Sequence, residues 1–347
     1  MTSVGLSGMM RVSDEHGEAA AVVARSLQHV QRRLQDQVRS DLPPVRELCT
    51  LVEKYHGKML RPSMVLLSGL AARSAGAPLD ETTLNDAHHI IGAVVEMIHL
   101  ATLVHDDVLD EADTRRRSPT VNRLRGNEPA VILGDYLFST AFHLCASLES
   151  QASTRIIGAV ATRLCEGELL QLHHRDDYSL DEPTYYEIVE RKTASLIAAS
   201  CDLGALHAGA SDDTRDRLRR FGLNIGIAFQ IQDDLLDLTG EESVVGKSVG
   251  KDLEKGKMTL PLIHHLRTAD PLVRGQTLRA IEHAGQHDEE VSAALDATGS
   301  FAYAREAAVR LVHDAKALLQ PGFDAGPQDP ALAILHTAAD AVVARAF

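Results

Sequence analysis

Helical periodicity is the constraint that leaves this chain the fewest alternatives. From about residue 18 almost to the end, apolar side chains recur at i, i+3, i+4 and i+7, the spacing that lines one face of an α-helix. Gly and Pro mark the joints, as at Pro43-Pro44, Gly57 with Pro62, Gly76 with Pro78, Pro119, Gly126 with Pro129, and Asp181 ahead of Pro183. No run of alternating β-branched residues is long enough for a sheet, and no segment repeats at a fixed period. Aromatics are only 4% and Trp is absent, while strong helix formers abound. The expectation is all-α: a single large bundle of ten or more helices around a central cavity. Residues 1–17, small and polar, are expected to be disordered, and 18–347 to form one domain.

Charge narrows the ligands. Lys and Arg number 35 against 49 Asp and Glu, a net charge of −14, which argues against a general affinity for nucleic acid or anionic lipid. Cys49, Cys145, Cys165 and Cys201 lie far apart without CxxC spacing, three of them in apolar helical stretches, as reduced thiols do. A cytoplasmic protein is expected. The N-terminus lacks the apolar run of a signal peptide, and the longest apolar run, 90–105, is broken by Glu96 and His99, so no membrane-spanning segment is expected.

Two acidic motifs carry chemistry. HDDVLD supplies Asp106, Asp107 and Asp110, and QDDLLD supplies Asp233, Asp234 and Asp237. On a helix, i and i+4 stand one above the other, so Asp106 aligns with Asp110 and Asp233 with Asp237. Each column repels itself, and apolar flanks imply partial burial, so a positive partner is required. Oxygen ligands without Cys point to Mg2+, which keeps waters and shares its shell with phosphates. Neither run has the glycine or terminal glutamate of an EF-hand loop. One such motif is most often a solvated helix face. Two of them, both after apolar turns, favour columns that face each other across a bundle and hold a diphosphate through Mg2+.

A ferritin-like di-metal carboxylate bundle is the remote alternative, on Glu53-x-x-His56 and Glu96-x-x-His99. His56 abuts Gly57 at a helix end, and the two bridging glutamates have no clear candidates. The adjacent pairs His88-His89, His173-His174 and His264-His265 diverge by about 100° on a helix, so surface or capping roles are expected of them rather than chelation.

The chain resembles the trans-isoprenyl diphosphate synthases, and the polyprenyl diphosphate synthases closely. The matching stretches are HGKMLRP (56–62), EMIHLATLVHDDVLDEADTRRRSPTVN (96–122), GDYLFSTAF (134–142), GELLQL (167–172), RKTASL (191–196) and FQIQDDLLDLTGEESVVGKSVGKDLEKGKMTLPLI (229–263). They stand in the family's order from about residue 25 onward. The resemblance implies the isoprenoid synthase type I fold and a Mg2+-dependent prenyltransferase. Such an enzyme joins isopentenyl diphosphate head to tail to an allylic diphosphate, with three Mg2+ per active site. It assigns metal binding to the six aspartates and catalysis to Asp106, Asp110, Asp233 and Lys192. It assigns isopentenyl diphosphate to Lys58, Arg61, His99 and Arg116. The allylic diphosphate falls to Arg115, Lys192, Thr193, Gln230, Lys247 and Lys257. His56 and Met59 stand where the family commonly has Gly and Arg, and Arg117 and Ser118 where Gly and a basic residue are frequent.

Product length is set in this family by what blocks a tunnel beneath the first acidic motif. Thr102 and Ala101 stand where farnesyl synthases often carry an aromatic, with Ile98, Phe142 and Cys145 as further candidates. One helical turn climbs ~5.4 Å, close to one isoprene unit, so an open turn implies a product of about C30–C50, with geranylgeranyl diphosphate (C20) as the alternative. The resemblance also implies a homodimer. A terpene cyclase is disfavoured by HGKMLRP and RRR, and a silent partner subunit by two intact acidic motifs.

Overall fold

Asparagine, threonine and aspartate start the helices where the sequence marks its joints. The computed structural model describes residues 17–52, 55, 57–74, 77–80, 82–116, 118–239, 250–282, 288–319, 323 and 329–344. Among them the helices run α1 Gly17–Gln37, α2 Pro43–Val52, α3 Leu60–Ala71, α4 Asp86–Leu109, α5 Val121–Arg125, α6 Asn127–Ala146 and α7 Gln151–His173. They continue as α8 Glu182–Val189, α9 Ser195–His207, α10 Asp212–Thr239, α11 Lys251–Glu254, α12 Leu260–Thr268, α13 Pro271–Ile281, α14 Asp288–Ala297, α15 Ser300–Leu318 and α16 Pro330–Val343. Asn85, Thr120, Asp181 and Asp270 cap α4, α5, α8 and α13 by accepting from the backbone N–H of His88, Arg123, Thr184 and Leu272.

A minimal antiparallel pair, β1 Thr114–Arg115 with β2 Ser118–Pro119, interrupts the helices. Two residues per strand are too few to leave an alternating pattern. The described residues group into two compact units. One takes those up to Ala161 with Leu196–Gly222 and Lys316–Ala338; the other takes Thr162–Ser195, Leu223–Ala315 and those from Ala339 onward.

The first unit is organised on α4. Ile90, Ile91, Ala93, Val94, Val95, Met97, Ile98, Leu100, Ala101 and Val104 are all buried, so this helix is apolar nearly all round and lies among α1, α3 and α6. By length and composition α4 and α6 could each cross a membrane, but α4 is the core helix of its unit. Close helix packing is made possible by missing side chains. A Cβ on Gly204 of α9 would lie 2.1 Å from the Val65 carbonyl oxygen of α3, and one on Gly69 would meet the His88 ring at 2.6 Å. His88 is therefore buried, with Nε2 3.1 Å from the Gly204 carbonyl and Nδ1 2.8 Å from Asn85 Oδ1.

The second unit contains a widened turn. Glu190–Ala194 is π-helical between α8 and α9, a form that occurs mostly as single-turn bulges at functional sites. Two glycines admit it: a Cβ on Gly167 of α7 would lie 2.6 Å from the Lys192 backbone nitrogen, and one on Gly226 of α10 would lie 2.5 Å from Ala194 Cα. Elsewhere in this unit His265 is fully buried, its ring nitrogens 2.9 Å from the hydroxyls of Thr277 and Thr298. A surface role is thus corrected for His88 and His265. Because adjacent residues point about 100° apart, one of each pair turns inward.

Candidate active site

The first unit carries Asp106, Asp107 and Asp110 at the end of α4. Asp110 is the C-cap and its N–H still donates to the Asp106 carbonyl at 2.8 Å, which keeps the two on one face. Both are part-exposed, whereas Asp107 is 1% exposed. Asp107 Oδ2 accepts from the Tyr55 hydroxyl at 2.7 Å, and its Oδ1 accepts from Arg115 Nε and Nη2 at 2.8 and 2.7 Å. Asn122 Nδ2 donates to the carbonyls of Asp107 and Ala112, which ties the following loop to the motif.

Beside this motif the same unit gathers cations. Arg116 sits at the β1–β2 turn with φ 51°, a left-handed backbone that a non-glycine residue adopts only at a cost. Its Nη1 donates to the Tyr55 carbonyl, and its guanidinium fills the space above Gly57. Met59, where the family commonly has Arg, is also left-handed, at φ 52°, and starts α3. Burial lowers the Arg61 guanidinium to about 10, against the opposing charge of Glu96. His99 is held well below its usual range by burial and then by Arg61, Arg116 and Arg115, so it is neutral at pH 7. Glu96 is 2% exposed and raised by burial, with Arg61 and Arg116 drawing it back down. These couplings bring Arg61, His99, Arg115 and Arg116 together. Arg61 Nε is buried and has no hydrogen-bond partner. Lys58, one residue before Met59, is exposed.

The second unit carries Asp233, Asp234 and Asp237 inside α10. Its middle aspartate is again the buried one: Asp234 is 5% exposed, while Asp233 and Asp237 are part-exposed. Asp234 Oδ2 accepts from the Tyr185 hydroxyl at 2.7 Å, and Oδ1 from Gln230 Nε2 at 2.8 Å. Thr193 Oγ1 donates to Gln230 Oε1 at 2.9 Å, which joins the π-turn to the acidic motif. Burial, followed by the Asp252 carboxylate, pushes the Asp234 carboxyl above its usual range. Lys192 reaches back to α7, donating to Gln171 Oε1 at 2.8 Å and pairing with Glu168. Asp237 Oδ2 accepts the Asp252 N–H at 3.0 Å, and Lys257 Nζ lies 3.7 Å from Asp252 Oδ1. Lys247 lies outside the described residues, as do Glu53, His56 and Arg117.

The donor set fits Mg2+. Among the described residues no three His, Cys, Asp or Glu side chains converge tightly enough to hold an ion unaided. What each unit offers is two accessible carboxylates one turn apart, as suits a small hard cation that completes its shell with water and phosphate. Glu96 lies among arginines, which does not fit a di-iron ligand.

Of the product-length candidates, Ile98, Ala101 and Cys145 are fully buried, and Thr102 and Phe142 are part-buried. Tyr55, Gly57, Gln171, Glu168, Tyr185 and Asp252 were not singled out for roles by the sequence. Gly57, Glu168, Gln171 and Asp252 do fall inside stretches that match the family.

A model of the polyprenyl synthetase family matches residues 43–298. Octaprenyl diphosphate synthase of Escherichia coli is 34% identical over 319 residues, covering 91% of this chain and 96% of that protein. The crystal structure of a polyprenyl synthase from Caulobacter crescentus, complexed with calcium and isoprenyl diphosphate, gives a TM-score of 0.85 at 31% identity over 95% of this chain and 98% of that one. A decaprenyl diphosphate synthase structure from Rhodobacter capsulatus gives 0.84 at 32% identity over 95% and 99%.

Proposed function

Since the chain belongs to the polyprenyl synthetase family, with its all-α fold and prenyltransferase chemistry, we propose that it condenses isopentenyl diphosphate head to tail with an allylic diphosphate to a long-chain product of about C30–C50. Names of the relatives support the length: octaprenyl in E. coli and decaprenyl in R. capsulatus. The family model runs through segments of both compact units, which supports reading them as one catalytic domain.

The cationic group beside the first acidic motif carries this reading. Isopentenyl diphosphate is the nucleophile and must keep its diphosphate, so fixed cations suit it better than a metal cluster. Arg61 offers a buried Nε without a partner, Arg116 a guanidinium held over Gly57, and Lys58 an exposed ammonium. Neutral His99 donates a hydrogen bond rather than a charge.

The allylic diphosphate is assigned to Arg115, Lys192, Thr193, Gln230, Lys247 and Lys257, and its Mg2+ ions to Asp106, Asp110, Asp233 and Asp237. When bound, Mg2+ supplies Lewis-acid neutralisation of the departing diphosphate. The Thr193–Gln230–Asp234 hydrogen-bond chain holds the π-turn residues in register with the second motif. Asp107 and Asp234, offered by the sequence as ligands, each accept a buried tyrosine hydrogen bond, which supports assigning the ions to the outer aspartates of each motif.

The exposed Val131 and Ile132 on α6 support a homodimer, and four cysteines spread along the chain without CxxC spacing support a reducing compartment such as the cytoplasm. Incubation with isopentenyl diphosphate, Mg2+ and allylic primers of increasing length, followed by mass analysis, tests the function. A product series reaching C30 or beyond is expected, and a sharp C15 or C20 end point overturns the assigned length.

A further inference from the structure

On a helix, residue i+1 is rotated about 100° from residue i, so the second aspartate of each motif cannot share the face of the first and last. Asp107 and Asp234 turn into the protein, where a buried carboxylate needs partners. Each finds a tyrosine from another segment of its own unit. Tyr55, just ahead of α3, and Tyr185, on α8, both donate at 2.7 Å to Oδ2 of the middle aspartate. Both rings are enclosed, at 1% and 3% exposure. The Tyr55 hydroxyl also accepts the Val121 N–H at 3.1 Å, so it links α4 to the first turn of α5. The opposite oxygens differ: Oδ1 of Asp107 is held by Arg115 and Oδ1 of Asp234 by Gln230. The phenol is therefore what the two sites share.

We propose that Tyr55 and Tyr185 are positioning residues for the metal-binding columns, each pinning the middle aspartate of its motif and so fixing the rotation at which Asp106 with Asp110, and Asp233 with Asp237, meet the Mg2+ diphosphate. Neither tyrosine touches substrate. Each acts through a buried hydrogen bond to the helix that carries the ligands, one step further out than the direct partners of ligands whose loss weakens metal sites about 10- to 100-fold, so the low end of that range is expected. This assignment rests on the reading of the two motifs as Mg2+ ligands.

The full chain, with Tyr55→Phe and Tyr185→Phe made separately, tests it. Phenylalanine keeps the ring and removes only the hydroxyl. Mg2+ affinity is measured by calorimetry in the presence of inorganic pyrophosphate, alongside the Mg2+ dependence of prenyl transfer and the thermal midpoint. Each variant is expected to need about tenfold more Mg2+ while its KM for isopentenyl diphosphate stays within about twofold. A Mg2+ titration that coincides with the wild type, whatever happens to the thermal midpoint, overturns the assignment and leaves the tyrosines structural. Asp234→Asn covers a phenylalanine variant that does not fold, because asparagine still accepts from Tyr185. It should hold Mg2+ within about threefold of the wild type, and a loss as large as that of Asp233→Asn would make Asp234 itself a ligand. If the wild type takes up no Mg2+ with pyrophosphate, the functional reading fails and the positioning role with it.

Discussion

The guanidinium of Arg116 occupies the space that a side chain on Gly57 would take: a Cβ there would lie 2.5 Å from Arg116 Nη2. The glycine of HGK thus serves as the seat of an arginine from the β1–β2 turn. Gly57→Ala should push the end of that flexible side chain aside at little cost in stability, because no backbone atom is displaced. A several-fold rise in KM for isopentenyl diphosphate with an unchanged melting temperature is expected. Steady-state kinetics and calorimetry check it, and a wild-type KM would show that Arg116 does not bind substrate from this position.

Arg115 and Arg116 are neighbours with separable roles. Arg116 is exposed and, among the described residues, bonds the Tyr55 carbonyl, so Arg116→Ala should fold normally and lose isopentenyl diphosphate affinity by about tenfold or more, the worth of a charge-assisted bond. The allylic KM should move little. Arg115→Ala should instead leave the buried Asp107 carboxylate without its cation, at a stability cost of about 3 kcal/mol. Denaturant unfolding of the two variants, run beside their kinetics, distinguishes them. Equal losses for both substrates in Arg116→Ala would refute its assignment.

Acid should weaken the fold through His88. Burial first, and His207 second, bring its imidazole down to about 4 from 6.5. A histidine held neutral in the fold but free to protonate when unfolded lets the unfolded state bind more protons between those values. Its contribution is therefore complete above pH 6.5 and falls as pH drops toward 4, by at most about 3 kcal/mol. His88→Gln, which can still donate to the Gly204 carbonyl, should show a shallower decline of unfolding free energy between pH 7 and 5 than the wild type. Parallel curves would mean that other groups set the acid limit.

The helices and the identity of the acidic columns were legible because both are periodic. Apolar spacing marks α4 from end to end, and i, i+4 spacing puts Asp106 under Asp110 whatever surrounds them. Their partners were not legible, since Tyr55 and Tyr185 reach the motifs from distant segments and nothing local distinguishes either from an ordinary core tyrosine. The π-turn was hidden for a related reason. ERKTA reads as continuous helix, and the cause of the widening lies in Gly167 and Gly226 on two other helices. The divergence of about 100° between adjacent histidines argues against chelation but does not say which of the two turns inward, and hydrogen bonds to Gly204, Thr277 and Thr298 make the burial of His88 and His265 tolerable.

Product length should yield to one position on α4. Thr102 lies one turn before Asp106 on the same face, is only part-buried, and spends its hydroxyl on the His99 carbonyl at 2.8 Å. Ala101 is fully enclosed, and phenylalanine in its place would overpack the core around α4, at about 1–3 kcal/mol. Thr102→Phe should therefore shorten the longest product to about C20 or below, since each turn beneath the motif spans roughly one isoprene unit. Its melting temperature should stay near that of the wild type, while Ala101→Phe loses several degrees. Chromatography of the products beside thermal unfolding separates the two effects. If Thr102→Phe still makes the full-length product, the growing chain does not pass beneath Asp106 on this face of α4.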